Sequence, residues 1–314
     1  VPQRLPKPKP QALMSFVTSE TSPLASETAS RRQPDLVLVS TPIGNLGDLS
    51  PRAVSTLREA DIILCEDTRV SATLLAQYQI LTKLQSFHDH NEQARTPALI
   101  GMMREGKRLA LVSDAGAPLI ADPGYRLVRA AIDEGLVVSA VPGPNAAVMA
   151  LALSGLPPHP FLFGGFLPPR SAARRSALQR LVAAEQAGLV ATLVFYEAPH
   201  RLAACLEDCQ AVLGDRPAAV GRELTKRFEE IRRGPLSVLA EHYATTAARG
   251  EITLVIGPAT RTSASAEALD EALEAALAVM SIKDAASAVA RELELPRKLV
   301  YARALSLKQD EVSG

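Results

Sequence analysis

Leu36-Val37-Leu38-Val39-Ser40-Thr41-Pro42-Ile43-Gly44-Asn45-Leu46-Gly47-Asp48-Leu49-Ser50-Pro51 is the stretch on which the fold turns. Its first five residues form a short apolar run rich in branched side chains and closed by Pro42 and Gly44, the pattern of a buried strand. Ser50 then stands as an N-cap with Pro51 in the first helical turn. The strand-then-helix pattern repeats downstream. Strands are predicted at Ile62 to Leu64, Leu109 to Val112 and Val137 to Val141, and helices at Ser71 to Tyr78 and Tyr125 to Asp133. Such alternation implies an α/β domain with a largely parallel sheet covered on both faces.

A second α/β block follows, with strands near Phe161 to Gly164, Thr192 to Tyr196, Ala218 to Arg222 and Ile252 to Ile256, and helices at Ala172 to Glu185 and Arg201 to Leu213. Phe228 to Gly234 reads as an added strand that would make this sheet mixed. The proline-rich turn at Pro142 to Pro144 is the expected junction. After a polar spacer, Ala266 to Met280, Asp284 to Glu294 and Arg297 to Leu307 read as three helices. A helix-turn-helix with the last helix as reader, carrying Arg297, Lys298 and Arg303, has this plan. A helical packing or dimerisation element has it too. The expected units are therefore a leader at 1–35, α/β domains at 36–144 and 145–259, and a helical tail at 264–314.

Composition sets limits on this picture. The 314 residues carry 34 basic and 34 acidic side chains, 47% hydrophobic and 22% charged residues overall. This is an average globular composition, which excludes full-length disorder, and the neutral balance argues against a wholesale polyanion binder. Cys65, Cys205 and Cys209 make no even framework and no C-x-x-C pair, so a disulfide scaffold is excluded and a reducing, cytoplasmic setting is expected. Residues 135–169 lack Asp, Glu, Lys and Arg, but prolines divide them, and 145–156 is shorter than the roughly 20 residues that span a bilayer. No membrane segment is expected. Residues 1–35 hold six prolines and no apolar block, which reads as a disordered leader, with Met14 as an alternative start.

In open α/β sheets ligands bind at the carboxyl ends of strands. Three small-residue loops fall there: Thr41 to Asp48, Ser113 to Pro118 with its continuation to Tyr125, and Val141 to Ala146. The first is neither G-x-G-x-x-G nor a P-loop, so a dinucleotide or triphosphate cradle is not indicated. Together the loops describe a pocket for a compact polar small molecule, although packing turns alone would explain any one of them. Polar clusters stand at other strand ends: Cys65 to Arg69, Phe87 to Glu92, Tyr196 to Arg201 and Arg222 to Lys226. His88-x-His90 invites a metal, but alternate residues of a strand face opposite sides, so no metal site is assigned.

Taken in order, STPIGNLGDLS at 40–50, CEDTR at 65–69, FHDHNE at 87–92, SDAGAPLIADPGYRLV at 113–128, VPGPNA at 141–146, FGGFLP at 163–168, FYEAPHR at 195–201 and RELTKRFEE at 222–230 resemble the small-subunit rRNA methyltransferases of the tetrapyrrole methylase superfamily. The resemblance implies two α/β domains with a cleft between them, and methyl transfer from S-adenosyl-L-methionine to the ribose 2'-oxygen of a cytidine in 16S rRNA at the decoding centre. It also implies the 30S subunit as substrate, a homodimer, and a C-terminal helix-turn-helix domain like the tail read here. By the same resemblance Pro42, Ala115, Gly116, Ala117, Ile120, Asn145, Ala146, Tyr196 and Glu197 would hold the methyl donor. Three positions depart from the pattern: Ala117 replaces the usual Thr, Asn145 the usual Ser and Asp89 the usual Glu.

A sulfonium methyl is a strong electrophile with a neutral leaving group, so the protein must chiefly align a nucleophile and take its proton. No metal is required. His88, Asp67, Glu223 and Lys226 are the candidates for proton transfer or alkoxide stabilisation, against the reading that they hold RNA phosphates or the cleft. Arg170, Arg174, Arg175 and Arg180, together with Arg227, Arg232 and Arg233, are candidate RNA contacts, for which solvated helix faces are the plain alternative. With 4% aromatics and no Trp, broad base stacking is not supported, and recognition by shape is expected. Two other functions fit the same residues: a small-molecule methylase of the sirohaem or cobalamin pathways, and a non-catalytic RNA-binding ribosome-assembly factor.

Overall fold

The structure, a computed structural model, describes residues 33–259, 266–293, 295 and 297–313. The expected leader lies outside these residues, apart from its last three. The first sheet holds β1 (Leu36–Val39), β2 (Ile62–Cys65), β3 (Lys83–Ser86), β4 (Leu109–Val112) and β5 (Val138–Val141) in the order β3-β2-β4-β1-β5, all parallel. Alternation along the strands sorts the core into two layers. Leu36, Leu64, Leu109 and Leu111 pack under α3 (Asp89–Arg104) and α4 (Tyr125–Asp133). Val39, Ile63, Cys65, Ala110 and Val112 pack under α1 (Pro51–Glu59) and α2 (Thr68–Gln77). Ser50 caps α1 through its hydroxyl, which accepts from the Ala53 amide at 3.1 Å, with Pro51 at the first turn as expected.

The second sheet runs β6-β7-β10-β8-β9 and contains β6 (Phe161–Phe166), β7 (Thr192–Glu197), β8 (Pro217–Arg222), β9 (Glu230–Pro235) and β10 (Ile252–Ile256). Here only β6 and β7 are parallel, while β10 is antiparallel to both neighbours and β9 to β8. The sheet is thus mixed, by β10 as well as by the anticipated extra strand. One face carries α6 (Ser171–Gln186), α7 (Leu202–Leu213) and α8 (Leu236–Thr245), and Cys205 and Cys209 share the buried side of α7. The other face receives α5 (Ala146–Ser154) through Ala147, Ala150 and Leu151. Ile43, from the loop after β1, plugs into this same cluster and so joins the first sheet to the second.

The tail has its own core, Leu269, Leu273, Ala286, Val289, Val300 and Ala304, formed by α9 (Ala266–Leu277), α10 (Ile282–Glu292) and α11 (Arg297–Ser313). Arg303, one of the basic residues noted on the last helix, is bidentate to Asp270 at 2.7 and 2.5 Å, so it braces α11 against α9. Arg297 and Lys298 remain exposed. Among the described residues no helix is long and apolar enough to cross a membrane.

Candidate functional site

Three neighbouring strands, β4, β1 and β5, deliver the three loops to one end of the first sheet. There the loops are tied to each other. Thr41 and Gly116 exchange backbone hydrogen bonds at 2.9 and 3.1 Å, and the Thr41 hydroxyl donates to the Ser113 carbonyl at 3.0 Å. A Cβ on Gly116 would lie 3.2 Å from Ile43 Cγ2 and 3.5 Å from the Pro144 carbonyl, so one residue touches all three loops. The loops and the second sheet enclose a cavity of about 360 Å³. Its wall includes Ile43, Ala115, Ala117, Ile120, Asp122, Asn145 and Ala146 from one side, and Tyr196 to Pro199 with Gly250 to Thr253 from the other.

Seven of the nine residues expected to hold the methyl donor line this cavity: Ala115, Ala117, Ile120, Asn145, Ala146, Tyr196 and Glu197. Gly116 lies behind the wall as the pivot of the loops, and Pro42 is likewise not in the lining. Asn145 caps α5, since its side-chain oxygen accepts from the Val148 amide at 3.1 Å. Asn145 and Ala146 place the start of that helix in the cavity wall, where the positive end of the helix dipole favours electron-rich groups. Glu197 is buried and committed: it pairs with Arg201 at 2.9 Å and accepts from the Ala198 amide at 2.7 Å. It contributes position to the wall, not a free carboxylate. Phe163 and Phe166 pack edge-on or tilted against the Tyr196 ring at 4.9 and 5.6 Å between centroids.

The four candidates for chemistry divide into two pairs. Lys226 Nζ bonds to Glu223 at 2.8 Å and to Glu251, a cavity residue, at 3.2 Å, while its methylenes lie over Gly44 in the first loop. Burial alone would lower the Lys226 ammonium, but the two carboxylates outweigh it and hold its pKa above the usual lysine value. The Lys226 hydrogen bond, with help from the Glu251 amide, keeps Glu223 below the ordinary carboxylate range. This pair therefore straps the loop after β8 to the loop after β1 at the cavity edge.

Asp67 and His88 sit in an adjoining recess with Glu66, Asp89 and Asp114. Hydrogen bonds from the Arg69 side chain and amide hold Asp67 at about 2, and it serves as N-cap of α2. So acidic a carboxyl, committed to Arg69 and to the cap of α2, has little proton affinity near neutrality. The Asn91 amide nitrogen is 3.0 Å from His88 Nε2, and the His88 backbone N–H donates to Asn91 Oδ1 at 3.0 Å, so His88 opens α3. The Asn91 NH2 can only donate, so Nε2 accepts from it and the neutral ring carries its proton on Nδ1.

Two further assignments change. Arg174 and Arg175 both bind Asp208, Arg174 from a buried position, so neither is a free RNA contact. Arg232 pairs with Glu230, and Arg233 donates to the carbonyls of Leu153 and Ser154 at the end of α5. Arg170 and Arg227 carry no ion pair among the described residues, and Arg227 rests 5.5 Å above the exposed Phe228 ring.

The structure gives roles to two residues that the sequence showed only as members of longer segments. Glu92 is buried and accepts from the Arg126 and Leu127 amides at 2.9 and 3.3 Å, which fixes the start of α4. Asp122, in a segment that reads as a plain Asp-Pro-Gly turn, faces the cavity; burial, then repulsion from Glu66, Asp114 and Asp89, raises it to about 6.

Residues 35–240 match the family Tetrapyrrole (Corrin/Porphyrin) Methylases, and residues 263–308 match the RsmI C-terminal HTH domain. The chain is 45% identical over 284 residues to Ribosomal RNA small subunit methyltransferase I of Mesorhizobium japonicum, covering 90% of this chain and 95% of that one. It is 43% identical over 280 residues to the protein of that name from a Synechocystis species, covering 88% and 99%. Among solved structures, the methyltransferase CobJ superposes with a TM-score of 0.53 at 19% identity over 72% of this chain and 95% of that one. Diphthine synthase gives 0.53 at 14% identity over 71% and 90%. These two show the fold alone.

Proposed function

The chain belongs to the tetrapyrrole (corrin/porphyrin) methylases and, within them, to the ribosomal RNA small subunit methyltransferase I family; on that premise we propose that it methylates the ribose 2'-oxygen of a cytidine in 16S rRNA, using S-adenosyl-L-methionine. The observation that carries this reading is the cavity where the three loops meet the second sheet. Its apolar flank, Ala115, Ala117, Ile120 and Ala146, suits a thioether chain, and the capped start of α5 suits a carboxylate. The donor fits these residues, and when bound it supplies an electrophilic methyl group.

The remaining work falls to the chain. Tyr196 and the turn from Glu197 to Pro199 close the cavity from the second sheet and exclude water from one side. Lys226 holds the two sides of the cleft at a fixed separation through Glu223, Glu251 and the first loop. Replacing Lys226 with Ala leaves two carboxylates facing each other and loosens that strap. We expect single-turnover methylation to fall about 10- to 100-fold while donor affinity changes by only a few fold, which matches lost positioning. His88→Ala is expected to cost turnover more than donor affinity too, but less than Lys226→Ala, because His88 already spends its Nε2 on Asn91. Equal donor binding and unaltered single-turnover rates in both variants would remove the pair from the mechanism.

The reading extends to the assembled 30S subunit, since the sparse aromatics and dispersed unpaired arginines favour recognition of shape over stacking on free bases. It extends to a homodimer, for which Val148 and Met149 on α5 and Phe161 on β6 offer exposed apolar surface. Tritiated methyl transfer to naked 16S rRNA, to 30S subunits and to a tetrapyrrole, with nucleotide mapping, tests the whole. Label on a cytidine ribose of the 30S subunit is expected; label on the tetrapyrrole alone would overturn the reading.

A further inference from the structure

Three carboxylates line the cavity: Asp122, Glu197 and Glu251. Glu197 is taken up by Arg201 and the Ala198 amide, and Glu251 by Lys226. Among the described residues Asp122 makes no hydrogen bond and no ion pair. A half-buried acid without a partner is costly, and such groups cluster where chemistry needs them. The loop that presents it is itself strained, with Leu119 at φ +70° and Ala121 at φ +68° on either side of Ile120. Residues with a side chain rarely adopt that region, and such strain persists only where the surroundings impose it. The surroundings are visible: Glu92 pins the first amides of α4, and Gly124 lies so close to Leu111 that a Cβ there would come within 2.6 Å of it.

The charged and titratable groups that face Asp122 come from four separate elements. Glu66 follows β2, Asp114 follows β4, Asp89 begins α3, and Tyr196 stands across the cleft on β7. Glu66, Asp89 and Asp114 also line the adjoining recess, so Asp122 marks the place where that recess meets the donor cavity. A nucleoside entering from the recess would bring a ribose hydroxyl to this boundary.

We propose that Asp122 is the general base of the methyl transfer: its carboxylate accepts the 2'-hydroxyl proton as the oxygen bonds to the methyl carbon and the sulfur–carbon bond breaks. The products are a methyl ether, a neutral thioether and a protonated Asp122, which returns its proton to water. This rests on the reading above that a ribose hydroxyl is the acceptor. The surrounding acids and the partial burial tune Asp122 toward about 6, close to the working pH of a general base. Among the described residues no cation pairs with Asp122 to hold it ionised and inert.

The test uses the full chain with Asp122→Asn and Asp122→Glu beside the wild type. Calorimetry with S-adenosyl-L-methionine should give affinities within a few fold of each other. Single-turnover methylation of 30S subunits should fall at least about 100-fold in Asp122→Asn, in line with the loss of a general base, and recover in part in Asp122→Glu. The wild-type rate should rise with pH to a plateau above about 6, and Asp122→Asn should lose that limb. Carboxyl carbon NMR of the donor-free wild type should show one resonance titrating near 6 that is missing from Asp122→Asn. A lost donor affinity in Asp122→Asn would reassign the residue to donor binding and overturn the proposal, as would an unchanged rate and pH limb. A wild type that labels no RNA while binding the donor would instead overturn the acceptor reading, and the base with it.

Discussion

Asp208→Ala is expected to lower the melting temperature by about 10 °C. The Asp208 carboxylate receives Arg174 Nε at 2.8 Å and Nη2 at 2.6 Å, Arg175 Nε at 2.5 Å and the Ser171 hydroxyl at 3.0 Å. Arg174 and Asp208 are 3% and 5% exposed in their side chains, so truncating Asp208 leaves a guanidinium buried with only carbonyls of Pro168, Pro169 and Ala204 for company. Stranding one member of a buried pair costs about 3–5 kcal/mol. At about 2–4 °C per kcal/mol for a unit of 150–250 residues, the shift follows. The pH dependence has a definite sign. Burial pushes Asp208 up, but the hydrogen bonds from Arg175, Ser171 and Arg174 outweigh it, and the folded carboxyl lies below its ordinary value. Its contribution is therefore complete above the unfolded pKa of about 3.9 and is lost as pH falls through the lower folded value. Calorimetric melts of wild type and Asp208→Ala should converge as the pH drops below that point. A shift smaller than about 2 °C at neutral pH would mean that solvent, not the pair, satisfies Arg174.

Arg174 also shows where the sequence misleads. A row of arginines on a predicted helix looks like a solvated stripe, and nothing local reveals that its partner lies 34 residues away on α7. Strands β1 and β4 were legible because each is covered on both faces and so is apolar throughout, and β10 because it is buried likewise and broken only by Thr253. By contrast β3, Lys83-Leu84-Gln85-Ser86, is an edge strand with polar residues, and α3 carries Pro97 inside it, so neither announces itself. The site was legible in its loops because small residues and prolines have few other uses at a strand's carboxyl end. Its chemistry was less so. Asp67 and His88 are polar residues of types that catalyse, yet the backbone takes both to begin helices, while Asp122 hides in a turn motif. Residue type can nominate a base; only the count of its partners in space separates a cap from a free acid.

Gly116→Val should weaken methyl-donor binding about 10- to 100-fold, that is by roughly 1.4–2.8 kcal/mol, and the cause lies in geometry rather than contact. Gly116 has φ +83°, where a branched side chain is a true outlier and the cost is about 1–2 kcal/mol. Its amide and carbonyl both bond to Thr41, and its carbonyl also accepts from the Ser113 hydroxyl at 2.9 Å. The new Cβ would sit 3.2 Å from Ile43 Cγ2, with the branch methyls crowding the Pro144 carbonyl that a Cβ already approaches at 3.5 Å. Relief requires the loops after β1 and β5 to move away from the loop after β4, and Ile43, Ala115, Ala117 and Asn145 ride on those loops into the cavity wall. Gly135→Val supplies the control: its φ is +67°, and an added Cβ meets nothing within 4 Å. Both variants bear the backbone strain, and only one displaces the wall. Calorimetric titration with S-adenosyl-L-methionine should therefore separate them, Gly135→Val binding like the wild type at a lower melting temperature and Gly116→Val binding weakly. Equal affinities would show that the loops act separately and that the cavity does not depend on their junction.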